Sequence, residues 1–255
     1  MIFVAAGTQD GRQLAGCLLE HGLSVTASVV SSYGEQLLKS YKGIKINDRP
    51  LDEDGLTEYL KNEHVTIFVD ASHPYAENVS KNGIAACSRI GIPYIRYERE
   101  STPITYEKVH YVPDSKAAAK KAAELGSRIF LTTGSRNLEV FAKSEYLKDC
   151  TLTVRVLPTS EVLALCEKLG FTPKQIIAMQ GPFSQTLNEA MFKQYDAQVI
   201  VTKNSGTIGG ADTKFAAAEA LGLPIVLIDR PKVTYGQVAR SFEDVLAFIR
   251  QHEEA

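Results

Sequence analysis

The sequence has no tryptophan and only four cysteines in 255 residues, and the cysteines do not form a metal-binding motif. Cys17, Cys87, Cys150 and Cys166 are widely separated, with no Cys-x-x-Cys pair. Because metal sites need clustered ligands, neither a zinc site nor an iron–sulfur site is expected. In a reducing compartment these cysteines are expected to be small buried hydrophobic side chains.

An excess of one charge and a long apolar run are also missing. Lysine and arginine number 28 against 30 acidic residues, so the net charge is −2 and the pI is near 6.2. This balance gives no general affinity for nucleic acid or for an anionic membrane. No apolar run approaches the roughly 20 residues of a spanning helix, and the N-terminus lacks the basic region of a signal peptide. We therefore expect a cytoplasmic protein that binds neither nucleic acid nor membrane.

The sequence does contain a repeated pattern of strand, turn and helix. Hydrophobic residues make up 44% of the chain, which excludes intrinsic disorder. Continuous apolar strands that alternate with amphipathic helices are typical of a parallel sheet covered on both faces. The predicted strands are 1–6, 23–30, 66–70, 93–97, 128–132, 152–157, 175–179, 199–202 and 224–228. The predicted helices are 12–21, 56–61, 76–90, 115–125, 160–169, 186–195, 213–221 and 242–251.

The segment 99–113 interrupts this alternation, since it contains charges, Pro103, Pro113 and tyrosines. It is interpreted as a linker or a crossing strand between two α/β lobes. Residues 1–98 are predicted to form an N-terminal dinucleotide-binding lobe, and residues 114–255 a C-terminal substrate lobe. In open parallel sheets, ligands bind beyond the carboxyl ends of the strands. The loops that follow the strands are therefore the candidate sites.

The first such loop contains Gly7, Thr8, Asp10, Gly11 and Arg12. Glycines let the backbone approach a pyrophosphate, and a helix N-terminus supplies free N–H groups. The spacing departs from a complete G-x-G-x-x-G fingerprint. The alternative is a tight turn with Asp10 as the helix N-cap.

The second loop, which contains Ser31 and Ser32, has no acidic residue. A fold selective for NAD usually places Asp or Glu at this point to bind the ribose 2′-hydroxyl. Neutral hydroxyl groups favour the 2′-phosphate of NADP. Arg12, in the first loop, is a further candidate to bind the same phosphate. The alternative is that the two serines cap the following helix.

The third loop clusters Asp70, Ser72, His73 and Tyr75 after a strand. Asp70 and Ser72 are candidate cofactor-binding residues, and His73 is a candidate general acid or hydrogen-bond donor. The alternative is structural, with Asp70 and Ser72 fixing the loop and His73 packing beneath Tyr75.

The loops of the second lobe offer hydroxyl groups, backbone N–H groups and single cations, which suit a ligand with several carboxylates or phosphates. An isolated Lys or Arg is more often a solvated surface charge. Lys203 and Arg136 are better candidates for ligand binding, because they lie in glycine-flanked loops. No G-x-S-x-G, Walker or H-E-x-x-H motif is present, so hydrolase and NTPase chemistry is not favoured. The candidate substrate-binding residues are Thr133, Gly134, Ser135, Arg136, Gln180, Gly181, Ser184, Lys203, Ser205, Gly206 and Lys214.

Together these loops resemble the precorrin-6A reductase (cobalt-precorrin-6A reductase) family of cobalamin biosynthesis. The most specific motifs are Asp70-Ala71-Ser72-His73-Pro74-Tyr75-Ala76 and Met179-Gln180-Gly181-Pro182-Phe183-Ser184. Further matching blocks include residues 7–12, 91–96, 131–135, 155–158 and 201–206. The blocks appear in family order from residue 2 to about 231. Ala5-Ala6 before Gly7 departs from the family, where a glycine is common.

The resemblance implies two Rossmann-like lobes with parallel sheets flanked by helices, and an active site in the cleft between them. It implies NADPH as the cofactor, no protein-bound metal, and a corrinoid tetrapyrrole as the partner. The reaction implied is hydride transfer to the C18–C19 double bond of precorrin-6A, or of its cobalt complex, to give the 6B form. The accompanying proton would come from solvent or from His73, Tyr75 or Lys203.

Three other functions share some of these features. An NADP-dependent oxidoreductase for another polyanionic substrate would share the first two loops. A non-enzymatic dinucleotide sensor would bind NADPH without consuming it. A methyltransferase also has a glycine-rich first loop, but the missing acid after the second strand disfavours it.

Overall fold

The computed structural model describes residues 1–30, 32–98, 104–204 and 211–253, and only the backbone of Ser32 and Ala211. Within these ranges, strands and helices alternate along the chain, and no helix is long and apolar enough to cross a bilayer. The strands are β1 Ile2–Ala5, β2 Val25–Ser28, β3 Lys45–Asn47, β4 Ile67–Asp70, β5 Tyr94–Tyr97, β6 Val109–Val112, β7 Arg128–Leu131, β8 Thr151–Val156, β9 Ile176–Ala178, β10 Val199–Lys203, β11 Ile225–Ile228 and β12 Val238–Ala239. The helices are α1 Gln9–Glu20, α2 Ser32–Leu38, α3 Glu53–Asn62, α4 Glu77–Ile90, α5 Ser115–Leu125, α6 Leu138–Ala142, α7 Ser160–Lys168, α8 Gln185–Gln194, α9 Ala211–Ala220 and α10 Phe242–Glu253. Two short 3-10 helices lie at Glu145–Leu147 and Pro173–Gln175.

The first of two compact units contains Met1–Glu100 and Pro231–Ala255. Its six parallel strands have the order β3-β2-β1-β4-β5-β12, which is the order of a doubly wound dinucleotide-binding sheet. The strand order reverses between β1 and β4, so the loops after these two strands flank the position where such sheets bind ligands.

Apolar strand residues explain why this sheet is covered on both faces. Ile2 and Val4 of β1 pack in one cluster with residues of α1 and α10. Phe3 faces the opposite side and stacks on Phe68 with ring centroids 4.9 Å apart, in a cluster that includes residues of α3 and α4. Burying each such side chain contributes about 1.5–3 kcal/mol. The predicted parallel sheet with helices on both faces is confirmed for this unit.

The second unit, Ser101–Arg230, has six parallel strands in the order β6-β11-β10-β7-β8-β9. Its strand order reverses between β7 and β10. Phe130, Ile200 and Leu227 share one face of the sheet and pack against α8 and α9, whereas α5 contacts β6, β10 and β11. The predicted α/β fold of this part of the chain is also confirmed.

One predicted domain boundary is wrong. The chain from 231 onward was assigned to the C-terminal lobe, but β12 pairs with β5, and Val245 and Ile249 of α10 pack in the first unit's core. A helical pattern does not say which sheet the helix covers, and a two-residue strand leaves no periodic signal. The segment 99–113 is interpreted as a linker or a crossing strand, and its part Val109–Val112 does form a strand, β6, at the edge of the second sheet.

Candidate functional site

The loop between β1 and α1 leaves the N-terminus of α1 accessible. Gly7 is exposed, and a Cβ atom built there would meet no atom within 4 Å. Thr8 is the N-cap, because its Oγ1 accepts the Gly11 N–H at 2.9 Å and donates to the Ala71 carbonyl at 3.0 Å. The alternative of Asp10 as the N-cap is therefore wrong, since Asp10 lies within the first turn of α1.

Gly11 is required for close packing at the same loop. A Cβ atom there would lie 2.8 Å from the Ala71 carbonyl oxygen and 3.0 Å from Cα of Ala6. Both contacts are with backbone, which cannot move aside cheaply, so only glycine lets α1 start this close to β1 and β4. An open glycine, a tightly packed glycine and a helix N-terminus at the point of strand reversal fit a dinucleotide pyrophosphate. Arg12 follows in the next turn, and its backbone N–H donates to the Thr8 carbonyl.

Near the end of β2, the structure places a cationic residue that was not predicted, Arg49. Ser31 lies outside the described residues, and Ser32 is the first residue of α2, with only its backbone described. The Asn47 Nδ2 donates to Ser28 Oγ at 2.9 Å and to the Arg49 carbonyl at 2.8 Å. The backbone of the exposed Arg49 is thereby held near the carboxyl ends of β2 and β3. Since β3 has only three residues, no sequence signal placed Arg49 beside β2.

Asp70, a predicted cofactor-binding residue, has both carboxylate oxygens engaged by the protein. Its Oδ1 accepts from the Ser72 N–H at 3.0 Å and from Arg96 Nη1 at 2.9 Å. Its Oδ2 accepts from the hydroxyl groups of Ser80 and Tyr94, each at 2.6 Å. Burial acts to raise the pKa of Asp70, but Arg96 and these hydrogen bonds outweigh it and hold the pKa below the usual value.

Ser72 belongs to the same network, because its Oγ accepts from Arg96 Nη1 at 3.1 Å. These contacts support the structural alternative for Asp70 and Ser72. Their role in cofactor binding stays a prediction. Arg96 and Tyr94, which complete the network, were not predicted, because within a strand they look like ordinary β residues.

His73 and Tyr75 lie together in the half-buried loop after β4. Their ring centroids are 5.6 Å apart, and His73 Nδ1 accepts the Tyr75 backbone N–H at 3.2 Å. With Nδ1 as an acceptor, a neutral His73 carries its proton on Nε2. The ring is thus oriented as a donor through Nε2.

In the second unit, β7 and β10 are neighbouring parallel strands at the point of strand reversal, so their carboxyl ends lie side by side. The chain turns at Gly134, whose φ is +74°, and continues through Ser135 to the exposed Arg136. Burial, and then repulsion by Arg136, lower the pKa of Lys203. Two cations close enough to repel each other are favourable for binding an anion. Thr133 Oγ1 is buried in this region and has no hydrogen-bond partner within the described ranges.

The remaining predicted substrate residues fall into three groups. Gln180, Gly181 and Ser184 lie in the exposed loop after β9, and Ser184 is the N-cap of α8, accepting the Leu187 N–H at 3.2 Å. Lys214 is buried in the first turns of α9. Ser205 and Gly206 lie outside the described residues.

Some of the predicted residues therefore come together in two places. In the first unit, the loops after β1 and β4 meet through the Thr8–Ala71 hydrogen bond. In the second unit, Lys203 at the end of β10 is close enough to Arg136, in the loop after the neighbouring β7, for the two charges to repel. Over the described part of the chain, no group of three or more His, Cys, Asp or Glu residues is arranged to hold a metal ion.

Comparisons with known proteins give a consistent result. The model of the family "Precorrin-6x reductase CbiJ/CobK" matches residues 1–250. A cobalt-precorrin-6A reductase from Priestia megaterium is 42% identical over 247 residues, which cover 96% of each chain. A cobalt-precorrin-6A reductase from Salmonella typhimurium is 35% identical and covers 90% of this chain and 87% of its own.

A solved structure is similar over nearly the whole chain. It is described as CobK precorrin-6A reductase and has a TM-score of 0.81 at 26% identity, covering 98% of this chain and 96% of its own. A precorrin-6A reductase from Rhodobacter capsulatus is 27% identical and covers 98% of this chain and 96% of its own.

Proposed function

Because the chain belongs to the precorrin-6x reductase CbiJ/CobK family, we propose that it reduces one carbon–carbon double bond of precorrin-6A, or of its cobalt complex, in cobalamin biosynthesis. The observation that carries this proposal is the family match over residues 1–250. The name of the 42% identical relative favours the cobalt complex as substrate. We also propose a cytoplasmic location for the enzyme, in line with the expectation from the sequence.

The proposed reductant is NADPH, and the first unit has the residues to hold it. The backbone around Gly7 and Gly11 and the α1 N-terminus would bind the pyrophosphate. Arg12 and Arg49 would bind the 2′-phosphate, together with Ser31 and Ser32. Bound NADPH supplies a hydride to one carbon of the double bond, and the neighbouring carbon takes up a proton.

The second unit would hold the substrate through its carboxylate groups. Lys203 and Arg136 supply two neighbouring positive charges, and Thr133, Gly134 and Ser135 supply hydroxyl and N–H groups beside them. The protein's part in catalysis is to orient two rings and exclude water, because the reductant carries the electrons.

The proton has three protein candidates besides solvent, namely His73, Tyr75 and Lys203. The hydrogen bond from the Tyr75 N–H favours His73, because it keeps the donor proton of the neutral ring on Nε2. The lowered pKa of Lys203 also makes it a stronger acid than an exposed lysine.

The deciding experiment is anaerobic oxidation of NADPH with precorrin-6A and cobalt-precorrin-6A tested in parallel, and NADH as the control. Nicotinamide fluorescence also reports binding, because the chain has no tryptophan to contribute background. Oxidation with one macrocycle supports the proposal and identifies the substrate. Tight NADPH binding with no oxidation by either macrocycle contradicts it and favours a dinucleotide sensor or another polyanionic substrate.

A further inference from the structure

The second unit contains two buried cations, Arg155 in β8 and Lys214 in α9, which are only 7% and 6% exposed. Buried charges are costly unless an opposite charge compensates for them. Within the described residues, neither side chain forms an ion pair or a hydrogen bond with a carboxylate. Asp212 attracts Lys214, but Asp212 is exposed and lies only two positions earlier in the chain. The described residues therefore supply too little negative charge to compensate the two positive charges of Arg155 and Lys214.

Arg155 is held in a fixed orientation by neutral groups. Its Nη1 donates to Asn188 Oδ1 at 2.7 Å, and its guanidinium lies 4.0 Å from the centre of the Phe183 ring. Asn188 is itself fully buried and donates from Nδ2 to the Ser184 carbonyl at 3.0 Å. These contacts leave further guanidinium N–H groups for another acceptor, since arginine has five.

The start of α9 is tied to the same residues. Thr213 Oγ1 donates to the Phe183 carbonyl at 2.9 Å and lies 3.5 Å from Asn188 Nδ2. Lys214 follows directly in the chain and is close enough to Arg155 for the two charges to repel. Burial, and then this repulsion, lower the pKa of Lys214 to about 7, although Asp212 acts in the opposite direction. Burial also lowers the pKa of Arg155 to about 10.

A third polar group lies on the same face of the sheet. Ile200, Phe130 and Thr153 are in register across β10, β7 and β8 and so point to one side. Because side chains alternate along a strand, Thr202 and Arg155 point to that side too. Their Cα atoms are two strand spacings apart, which is about 10 Å. Thr202 Oγ1 is fully buried and has no hydrogen-bond partner among the residues that the structure describes.

We infer that Arg155 and Lys214 form a binding site for one oxyanion group, a carboxylate or a phosphate, beneath the N-terminal ends of α8 and α9. The planar guanidinium suits two oxygens of such a group, and the ammonium group supplies the second positive charge. The positive ends of two helix dipoles favour the same charge. This site lies beneath α8 and α9, whereas Lys203 is the last residue of β10 and Arg136 lies in the loop after β7.

The identity of the anion rests on the proposed function, which offers two sources. One is a carboxylate of the corrinoid substrate, and the other is a phosphate of the dinucleotide. Both present the same oxyanion chemistry to Arg155 and Lys214. Separate binding measurements for the two ligands distinguish them.

The first test needs neither ligand and uses inorganic phosphate at constant ionic strength, set with chloride. Thermal unfolding is followed in the full-length protein and in the variants Lys214→Met and Arg155→Met. Lys193→Met is the matched control, because Lys193 is an exposed cation on α8. We expect phosphate to raise the unfolding temperature of the wild type and of Lys193→Met saturably, by about 3 °C or more. The rise is expected to be smaller in the other two variants, which keep the proposed dinucleotide phosphate site of the first unit, and an equal rise in Lys214→Met would overturn the inference.

The second test measures the NADPH Kd and the KM for the macrocycle in the same variants. A rise of about tenfold or more in KM with an unchanged Kd identifies a substrate carboxylate. The reverse result identifies a dinucleotide phosphate. If Lys214→Met changes neither constant relative to Lys193→Met, the inference is wrong. If wild-type protein binds neither ligand, the proposed function fails, and the phosphate test still decides whether the anion site exists.

Discussion

Arg96 Nη1 lies 2.9 Å from Asp70 Oδ1, and both side chains are almost completely removed from solvent, at 1% and 0% exposure. Asp70 is the last residue of β4, and the next residue, Ala71, accepts the hydrogen bond from Thr8. The ion pair therefore fixes the end of β4 beside the first turn of α1. The ion pair thus stabilises the backbone on which the proposed cofactor site is built, whether or not Asp70 also contacts the cofactor.

Removing one partner of this pair is expected to cost more than removing both. Asp70→Asn leaves a buried guanidinium with Glu98 as its remaining carboxylate partner, and Arg96→Met leaves a buried carboxylate. Each change should lower the free energy of unfolding by about 3 kcal/mol or more, and the double variant should recover part of that loss. Urea denaturation measures all four proteins. Single variants within about 1 kcal/mol of the wild type would show that the pair is dispensable.

The same pair gives a pH dependence of known sign. The pKa of Asp70 is lower in the folded protein than in the unfolded chain. Its contribution to stability is therefore complete above the unfolded pKa and is lost as the pH falls through the folded pKa. Wild type should lose stability more steeply than Asp70→Asn as the pH is lowered from 5 towards 3. Parallel curves for the two proteins would contradict this.

Gly7 and Gly11 are expected to respond differently to the same substitution. Gly7→Ala adds a Cβ atom into open space, whereas Gly11→Ala forces one against backbone of Ala71 and Ala6. Gly11→Ala should destabilise the protein by about 1–3 kcal/mol. Gly7→Ala should unfold like the wild type but bind NADPH more weakly, if a pyrophosphate lies against it. Unchanged NADPH affinity in Gly7→Ala would move the pyrophosphate away from this loop.

Most of the fold was predictable because most of its strands are continuous apolar runs and several of its helices are followed by a glycine. The helix before Gly91 was predicted to end there, and Gly91 has the positive φ of +74° typical of that position. The elements that were missed are short, namely β3, β6, β12, α2 and α6. Strands of two to four residues and helices of one or two turns carry little periodic signal, and a pattern does not encode which sheet a strand joins. The final 25 residues could therefore be assigned to the first unit only from the observed pairing of β12 with β5.

The candidate site was predictable only where chemistry is concentrated in a loop. His73 and Tyr75 were identified because unusual residues follow a strand directly. Arg155, Arg96 and Tyr94 lie inside strands, where the sequence suggests ordinary packing. Their importance comes from burial next to charged or polar groups on other elements. That information appears only when the strands are placed side by side.

Arg49 is expected to set the preference for NADPH over NADH. It lies near the end of β2, where doubly wound sheets bind the adenosine ribose. Arg49→Ala should weaken NADPH binding about tenfold and leave NADH binding unchanged, because only NADPH has the 2′-phosphate. Arg12→Ala is expected to act in the same direction. Fluorescence titration measures the affinity of each variant for both cofactors. The control is Arg89→Ala, which removes a cation that pairs with Glu53 and Asp54. Equal losses for both cofactors would place the 2′-phosphate elsewhere.

His73 is expected to affect turnover more than cofactor affinity. His73→Gln keeps a polar side chain but removes the ionisable ring, so kcat should fall about 100-fold while the NADPH Kd stays within about twofold. Tyr75→Phe is the matched variant, since it retains the backbone N–H that His73 Nδ1 accepts. Steady-state kinetics with the macrocycle and direct NADPH titration separate the two effects. An unchanged kcat in His73→Gln would assign the proton to Lys203, Tyr75 or solvent.

Lys214 should make the free protein less stable at neutral pH than at high pH. Its pKa is about 7 in the folded protein and near 10.5 when the lysine is unperturbed, so between these values the unfolded chain binds the extra proton. Stability from this group therefore rises as the pH increases from 7 towards 10.5, and the full cost of the buried charge is present below 7.

Lys214→Met removes that cost, so the variant should be more stable than the wild type at pH 6, on the order of 1–3 kcal/mol. The advantage should shrink as the pH rises to 9.5, and Lys193→Met should show no such trend. Saturating phosphate should also reduce the advantage at pH 6, because an anion beside Arg155 and Lys214 compensates the charge that the substitution deletes. Urea denaturation at both pH values, with and without phosphate, measures the effect. A pH-independent difference between wild type and Lys214→Met would mean that Lys214 is solvated and charged throughout.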